Sequence, residues 1–227
     1  MADSITNCDS LFYGCYYIEE IDLSDFDTSQ VKNMGKMFCL CSGLKLLNVS
    51  NLNTSQVFSM MDMFYGCSSL ISLDLSSFDT SKVNRIDGMF SSCCNFISLN
   101  LSTFNTSLVV DMDYMFCECH SLISLDLSSF DTSRVTNMAS MFYECHTLIS
   151  LDLSNFNTSQ VVNMNSMFAS CVNLEYINLK NFTEIKLDNN EKYYHQIMFY
   201  NIIENIVICI NENITNRKIF PQIKNKK

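Results

Sequence analysis

Twelve cysteines, fourteen methionines and three histidines in 227 residues are the side chains whose spacing could do chemistry. Seven cysteines recur every 26 residues: Cys15, Cys41, Cys67, Cys93, Cys119, Cys145 and Cys171. Such a column suggests a metal ladder or a disulfide framework. Against metal, it offers one thiol per step and no CxxC pair, and Cys39-Leu40-Cys41 and Cys117-Glu118-Cys119 are too cramped for zinc. Against disulfides, the column is odd in number and points one way, whereas a bridge needs Cα atoms within about 7 Å. Buried core thiols are expected instead. Among the off-column cysteines, Cys8, Cys39, Cys94, Cys117 and Cys209, exposure is expected at Cys94 or Cys117.

The methionines fare no better as ligands. Met37-Phe38, Met63-Phe64, Met89-Phe90, Met115-Phe116, Met141-Phe142 and Met167-Phe168 keep the same step, and Met60, Met112, Met138 and Met164 sit at helical spacing from them, which is the spacing of packing. His120 and His146 are repeat-equivalent, at a turn where another unit has Ser68; His195 stands apart. No phosphate-binding glycine loop and no nucleophile elbow occur. The expectation is no metal, no cofactor and no catalytic centre.

A polar ladder is the remaining candidate. Asp22, Asn48, Asp74, Asn100, Asp126, Asp152 and Asn178 recur in register between buried aliphatic positions, with Ser72, Ser98, Ser124 and Ser150 beside them. That alternation places them on the open face of a half-buried strand. Strands stack about 4.8 Å apart, so neighbouring carboxylates repel, and asparagine interrupts the repulsion. The ladder is the expected ligand-binding strip, acidic and hydroxyl-rich, for a basic or sugar-like partner; the plainer alternative is a solvated sheet face. It lacks the Trp, Tyr and Arg of a strong hot spot. Residues that vary between repeats, Glu20, Leu46, Tyr176 and Lys180, make the two ends a second candidate. The sequons at Asn48, Asn53, Asn100, Asn105, Asn157, Asn181 and Asn213 mostly arise where Asn replaces Asp.

The elements that must position these side chains follow from the repeat. A fixed period of this size is the signature of a solenoid, each unit burying its apolar side only against its neighbours. Leu73 and Leu75 alternate with Ser72, Asp74 and Ser76, which predicts a short strand; Val83, Ile86, Met89, Phe90 and Cys93 then predict a helix of about three turns. Asp79 suits the helix N-cap, with Phe78 and Val83 as a hydrophobic staple and Gln30, Gln56 and Gln160 closing a capping box elsewhere; Thr80 or Ser81 would also serve as cap. The expected fold is therefore an α/β solenoid with a parallel sheet on a concave face and helices on a convex one. The chain opens in phase on a helix-half, through Ile5, Cys8, Leu11 and Phe12, without a capping unit, which suggests part of a longer protein. Residues 1–180 read as the solenoid, ending on the strand Ile177-Asn178-Leu179. Residues 181–227 read as a C-terminal cap and flank, with Tyr193-Tyr194 and then Ile206 to Ile210 closing the sheet edge.

Bulk composition narrows the partners. A net charge of −10 argues against nucleic acid, and Lys224, Lys226 and Lys227 are too few to reverse it. The most apolar stretch, Ile197 to Ile210, is interrupted and too short to span a bilayer. Met1-Ala2-Asp3-Ser4 carries no export signal.

The repeated string MFxxCxxLxxLDLSxFDTSxVxxM closely resembles the BspA-like leucine-rich-repeat surface proteins, the group also known for mycoplasma-type lipoprotein repeats of unknown function. The resemblance covers about four-fifths of the chain. It implies a leucine-rich-repeat horseshoe displayed on a cell surface, adhering to a protein or glycan of a host or neighbouring cell. The missing export signal leaves a cytoplasmic scaffold of the same fold as the alternative.

Overall fold

The computed structural model describes residues 4–183 and 198–211, over which the chain winds as a coil whose turns stack in register. Six parallel bridges join Asn7, Asn33, Ser59, Arg85, Asp111, Asn137 and Asn163 in one unbroken column, each partner 26 residues beyond the last. Five three-residue strands lie elsewhere on the coil: β1 (Glu20–Asp22), β2 (Leu46–Asn48), β3 (Ser150–Asp152), β4 (Tyr176–Asn178) and β5 (Val207–Cys209). β1 and β2 form one parallel pair, and β3-β4-β5 a second parallel sheet. Met1 to Asp3, Tyr193-Tyr194, His195, Asn213 and the lysines of the tail lie outside the described residues.

The expected α half is corrected: no helix forms among the described residues. Residues 34–41 show why. The amides of Met34, Lys36, Phe38 and Leu40 donate to the carbonyls of Ser59, Met61, Met63 and Tyr65 on the next coil, at 2.6–3.0 Å. Between them, Met37, Cys39 and Cys41 donate to the carbonyls three residues back, and Gly35 to Oδ1 of Asn33. Eight successive amides are thus satisfied without one α-helical bond. The backbone also passes through the left-handed region every four residues, at Lys36 (φ 55°) and Leu40 (φ 61°), and at their equivalents in neighbouring coils. Successive turns of three or four residues fold the same apolar positions inward as a helix would, so the spacing is shared and the hydrogen bonding is not. Glycine at Gly14, Gly66 and Gly88 in these two columns is the sequence signal for it. A Cβ on Gly88 would lie 2.1 Å from Oδ1 of Asp62.

The capping chemistry survives without the helix. Oδ1 of Asp79 accepts the amide of Ser81 at 2.9 Å, an Asx-turn, and Asp27, Asn53, Asn105, Asp131 and Asn157 do the same. The buried threonine that follows each of them works across coils. Oγ1 of Thr106 donates to the carbonyl of Asp131 at 2.9 Å and accepts its amide at 2.8 Å.

The strand side is less complete than the expected continuous sheet. Residues 72–74, 98–100 and 124–126 turn Leu73, Leu99 and Leu125 inward but form no ladder. Ser-Leu-Asp occurs at 72–74, 124–126 and 150–152, yet only the last, beside Tyr176-Ile177-Asn178, is a strand. Pairing here belongs to the neighbour, not to the tripeptide. The coil continues past residue 180: Met198-Phe199 repeats the MF pair after a step of 31, and Phe168 donates its amide to Met198. Phe12, Phe38, Phe64, Phe90, Phe116, Phe142, Phe168 and Phe199 form one stack, ring centroids 5.2–5.8 Å apart. Beside it the column cysteines from Cys41 to Cys171 donate from Sγ to phenylalanine carbonyls of the preceding coil, as Cys93 does to Phe64 at 3.1 Å.

Candidate binding face

On the strand side each central coil presents an isoleucine, a serine and an Asp or Asn outward, with leucine inward between the last two. The polar ladder emerges where the alternation predicts, with one correction: Asn178 is buried, because β5 pairs beside it and Leu179 donates its amide to Cys209. Its six other members are exposed. None of the seven has an idle side chain. Oδ1 of Asp22, Asn48, Asp74, Asn100, Asp126 and Asp152 accepts the amide of the serine two residues on, at 2.8–3.1 Å, and Asn178 accepts that of Lys180. The ladder is therefore a row of Asx-turns that ends each strand segment, which also explains why Asp and Asn interchange and why sequons accumulate.

These bonds have an electrostatic result. The backbone amide of the following serine holds the carboxyls of Asp22, Asp74 and Asp126 below their ordinary range, and the Ser154 hydroxyl and amide do so for Asp152. The strip stays negative at any physiological pH.

The feature that sequence reading missed runs alongside. Ile71, Ile97, Ile123 and Ile149 occupy one column and are 62%, 51%, 45% and 45% exposed. Their amides and carbonyls link successive coils, Ile123 to Ile97 at 3.2 Å and Ile149 to Ile123 at 3.3 Å. The column stops at charged residues, at the Lys45–Glu19 ion pair (2.8 Å) on one side and Glu175 on the other. The four isoleucines keep the step of 26, but an apolar residue two positions before a buried leucine carries no sequence signal that separates it from the core. The end residues Glu20, Leu46, Tyr176 and Lys180 are also exposed, and a shallow cavity of about 380 Å³ lies between β1 and β2.

The turn side carries a second concavity, about 420 Å³, lined by Asp62, Asp87, Asp113, Tyr114, Cys117 and Glu118. Burial, then the charges of Asp111 and Asp87, raises the Asp113 carboxyl to about 6. Arg85 grips Asp87 through Nε (3.2 Å) and Nη2 (3.0 Å), and Asn137 donates to Asp113 at 3.0 Å, so the acids are largely met from within. All twelve thiols are free. Burial raises Cys41 to about 11 and Cys171 to about 12, and raises Cys67, Cys93, Cys119 and Cys145 as well, which leaves these six unreactive, whereas Cys15, expected in the core with them, is only half-buried. Of Cys94 and Cys117, the two off-column candidates for exposure, Cys117 is buried and Cys94 is half-buried.

Stacked coils with a uniform core and a chemically patterned face define a solenoid repeat protein. The family described as "Mycoplasma protein of unknown function, DUF285" matches residues 6–122 and 88–207, and the chain belongs to it. That membership bears out the mycoplasma-type repeat resemblance. Among solved structures, a leucine-rich repeat protein from Bacteroides ovatus is 18% identical over 92% of this chain and 67% of its own, with a TM-score of 0.29. A leucine rich cell surface protein from Faecalibacterium prausnitzii is 16% identical over 96% of this chain and 79% of its own, with a TM-score of 0.32. At these TM-scores the architecture rests on the registers and hydrogen bonds above. No curated protein matches the chain. No helix among the described residues is long and apolar enough to cross a membrane.

Proposed function

We propose that the chain is a non-catalytic, adhesin-like module of a cell surface, and that its strand side binds a cationic, apolar protein segment. The supporting observation is the exposed Ile71, Ile97, Ile123 and Ile149 column beside Asp74, Asp126 and Asp152. Apolar side chains on the partner cover the isoleucines, and Lys or Arg meets the fixed carboxylates. Covering a half-exposed isoleucine contributes about 1 kcal/mol, so four give only a weak contact before the costs of association. The charges add encounter rate and choice of partner. Twelve free thiols suit a reducing compartment equally well, and favour an intracellular scaffold using the same face as the second reading.

The test uses labelled peptides of alternating leucine and lysine, or leucine and glutamate, followed by fluorescence anisotropy. The lysine peptide is expected to bind and the glutamate peptide not. Binding should weaken in Asp126→Lys/Asp152→Lys and persist in Asp9→Lys/Glu204→Lys, which changes the net charge equally elsewhere. Equal losses in the two double variants would mean charge without a site, and would sink the reading. Antibody labelling of intact against permeabilised cells separates the surface module from the scaffold.

A further inference from the structure

We infer that His120, Glu144 and His146 form a binding site for one divalent transition-metal ion, with zinc the ordinary occupant. Two of the chain's three histidines occupy the same position on consecutive coils. Stacking the coils lays one imidazole over the other, ring centroids 4.8 Å apart and planes within 4°. Glu144 stands two residues before His146, in a left-handed turn (φ 59°), and its Oε2 is 3.8 Å from Nε2 of His120. One donor atom from each residue lies within 4.8 Å of the other two. Nε2 of His120 is itself buried and has no hydrogen-bond partner. A buried ring nitrogen left without a partner needs an explanation, and a metal ion supplies the missing one.

Two imidazole nitrogens and a carboxylate oxygen suit zinc, nickel or copper(II) better than calcium or magnesium, which take oxygen donors. Zinc sits about 2.0–2.2 Å from such donors, which then lie about 3.3 Å apart in a tetrahedron, so the cluster must tighten on binding. The two imidazoles must also tilt out of their parallel stack, because each nitrogen lone pair lies in its ring plane, and the His120 and Glu144 side chains, 38% and 31% exposed, have room to turn. The backbone beneath is held. Thr147 Oγ1 donates to the His120 carbonyl and Asn173 Nδ2 to the His146 carbonyl, both at 2.8 Å. Water completes the fourth position. The nearby column thiols Cys119 and Cys145 are buried and donate to Phe90 and Phe116, so they do not compete as ligands. A motif search within one repeat misses this site, because the two histidines are 26 residues apart and meet only through stacking.

The experiment is titration of the metal-free full-length chain with zinc in competition with a chromophoric chelator. One zinc per chain is expected. His120→Asn and His146→Asn should each weaken binding by at least about tenfold, and Glu144→Gln should weaken it measurably. Cobalt(II) bound to the unaltered chain should show tetrahedral visible bands without the near-ultraviolet band of a sulfur ligand, a readout independent of how the variants fold. Failure of the intact chain to bind zinc, unchanged affinity in both histidine variants, or a sulfur-to-cobalt band would each overturn the assignment.

Discussion

The two sides of the coil are built to different standards. The turn side is bridged at every coil from Asn7 to Asn163, and its amides alternate between the next coil and the local turn. Among the described residues the strand side forms ladders only at β1-β2 and β3-β4-β5, and the three segments between them lie outside any ladder. Register and stability are therefore set on the side expected to be helical, which frees the strand side to vary its outward chemistry. The largest test lies in the phenylalanine stack. Phe90 is fully buried between Phe64 and Phe116, both 5.8 Å away. Phe90→Ala should cost about 3–5 kcal/mol by urea unfolding, and Leu99→Ala on the strand side about 2 kcal/mol. A reversed order would break the comparison.

At the seam between the sides, Thr106 uses one hydroxyl for two bonds to Asp131. Thr106→Val keeps the shape and leaves an amide and a carbonyl unpaired at a partly buried site, so a loss of about 2 kcal/mol is expected. Ser102→Ala, which removes the hydroxyl contact to Asn100 on the exposed face, should cost far less. Similar losses from both would mean that the threonine column does not hold the coils together.

Acidic groups on the two sides should respond to pH with opposite sign. Asp113 titrates at about 6 in the folded chain, above the ordinary aspartate value of about 3.9. Its contribution is fully present below that ordinary value and is lost as pH rises through about 6. Asp22, Asp74, Asp126 and Asp152 are lowered, so theirs is present above the ordinary value and is lost as pH falls through their folded values. Asp113→Asn, which keeps an oxygen for Asn137, should be at least as stable as the unaltered chain at neutral pH, with the advantage vanishing in acid. A variant less stable at neutral pH would contradict the sign.

Much of this was legible in the residues. The columns of Cys, Met and Phe identified the core, because burial repeats with the coil and the sequence repeats with burial. The helix was not excluded by the sequence, because the spacing of Val83, Ile86, Met89, Phe90 and Cys93 fits a helix and a chain of short turns equally well. The deciding residues were polar or small, Asp62, Gly88 and Ser140 in one left-handed column and Gly66 and Ser92 in the other. The buried threonines and the His120–His146 stack were illegible for a different reason: their partners are a coil away in sequence, and only the stacked register reveals which atoms meet.

The smallest expected effect on stability is the most informative about the face. Ile123 and Ile149 are each 45% exposed, and the hydrogen bonds that link them to neighbouring coils are backbone ones, so Ile123→Ser and Ile149→Ser should each cost no more than about 1 kcal/mol of unfolding free energy. If the column existed to pack the coils, removing it would destabilise them as Leu99→Ala does. If it exists to meet a partner, the double variant should stay folded with a modestly lowered melting temperature and lose affinity for the leucine-lysine peptide. Urea unfolding and anisotropy on one preparation, at a temperature where both chains are folded, separate the two roles, because a packing role costs each site as much as Leu99→Ala and a binding role removes affinity from a chain that is still folded.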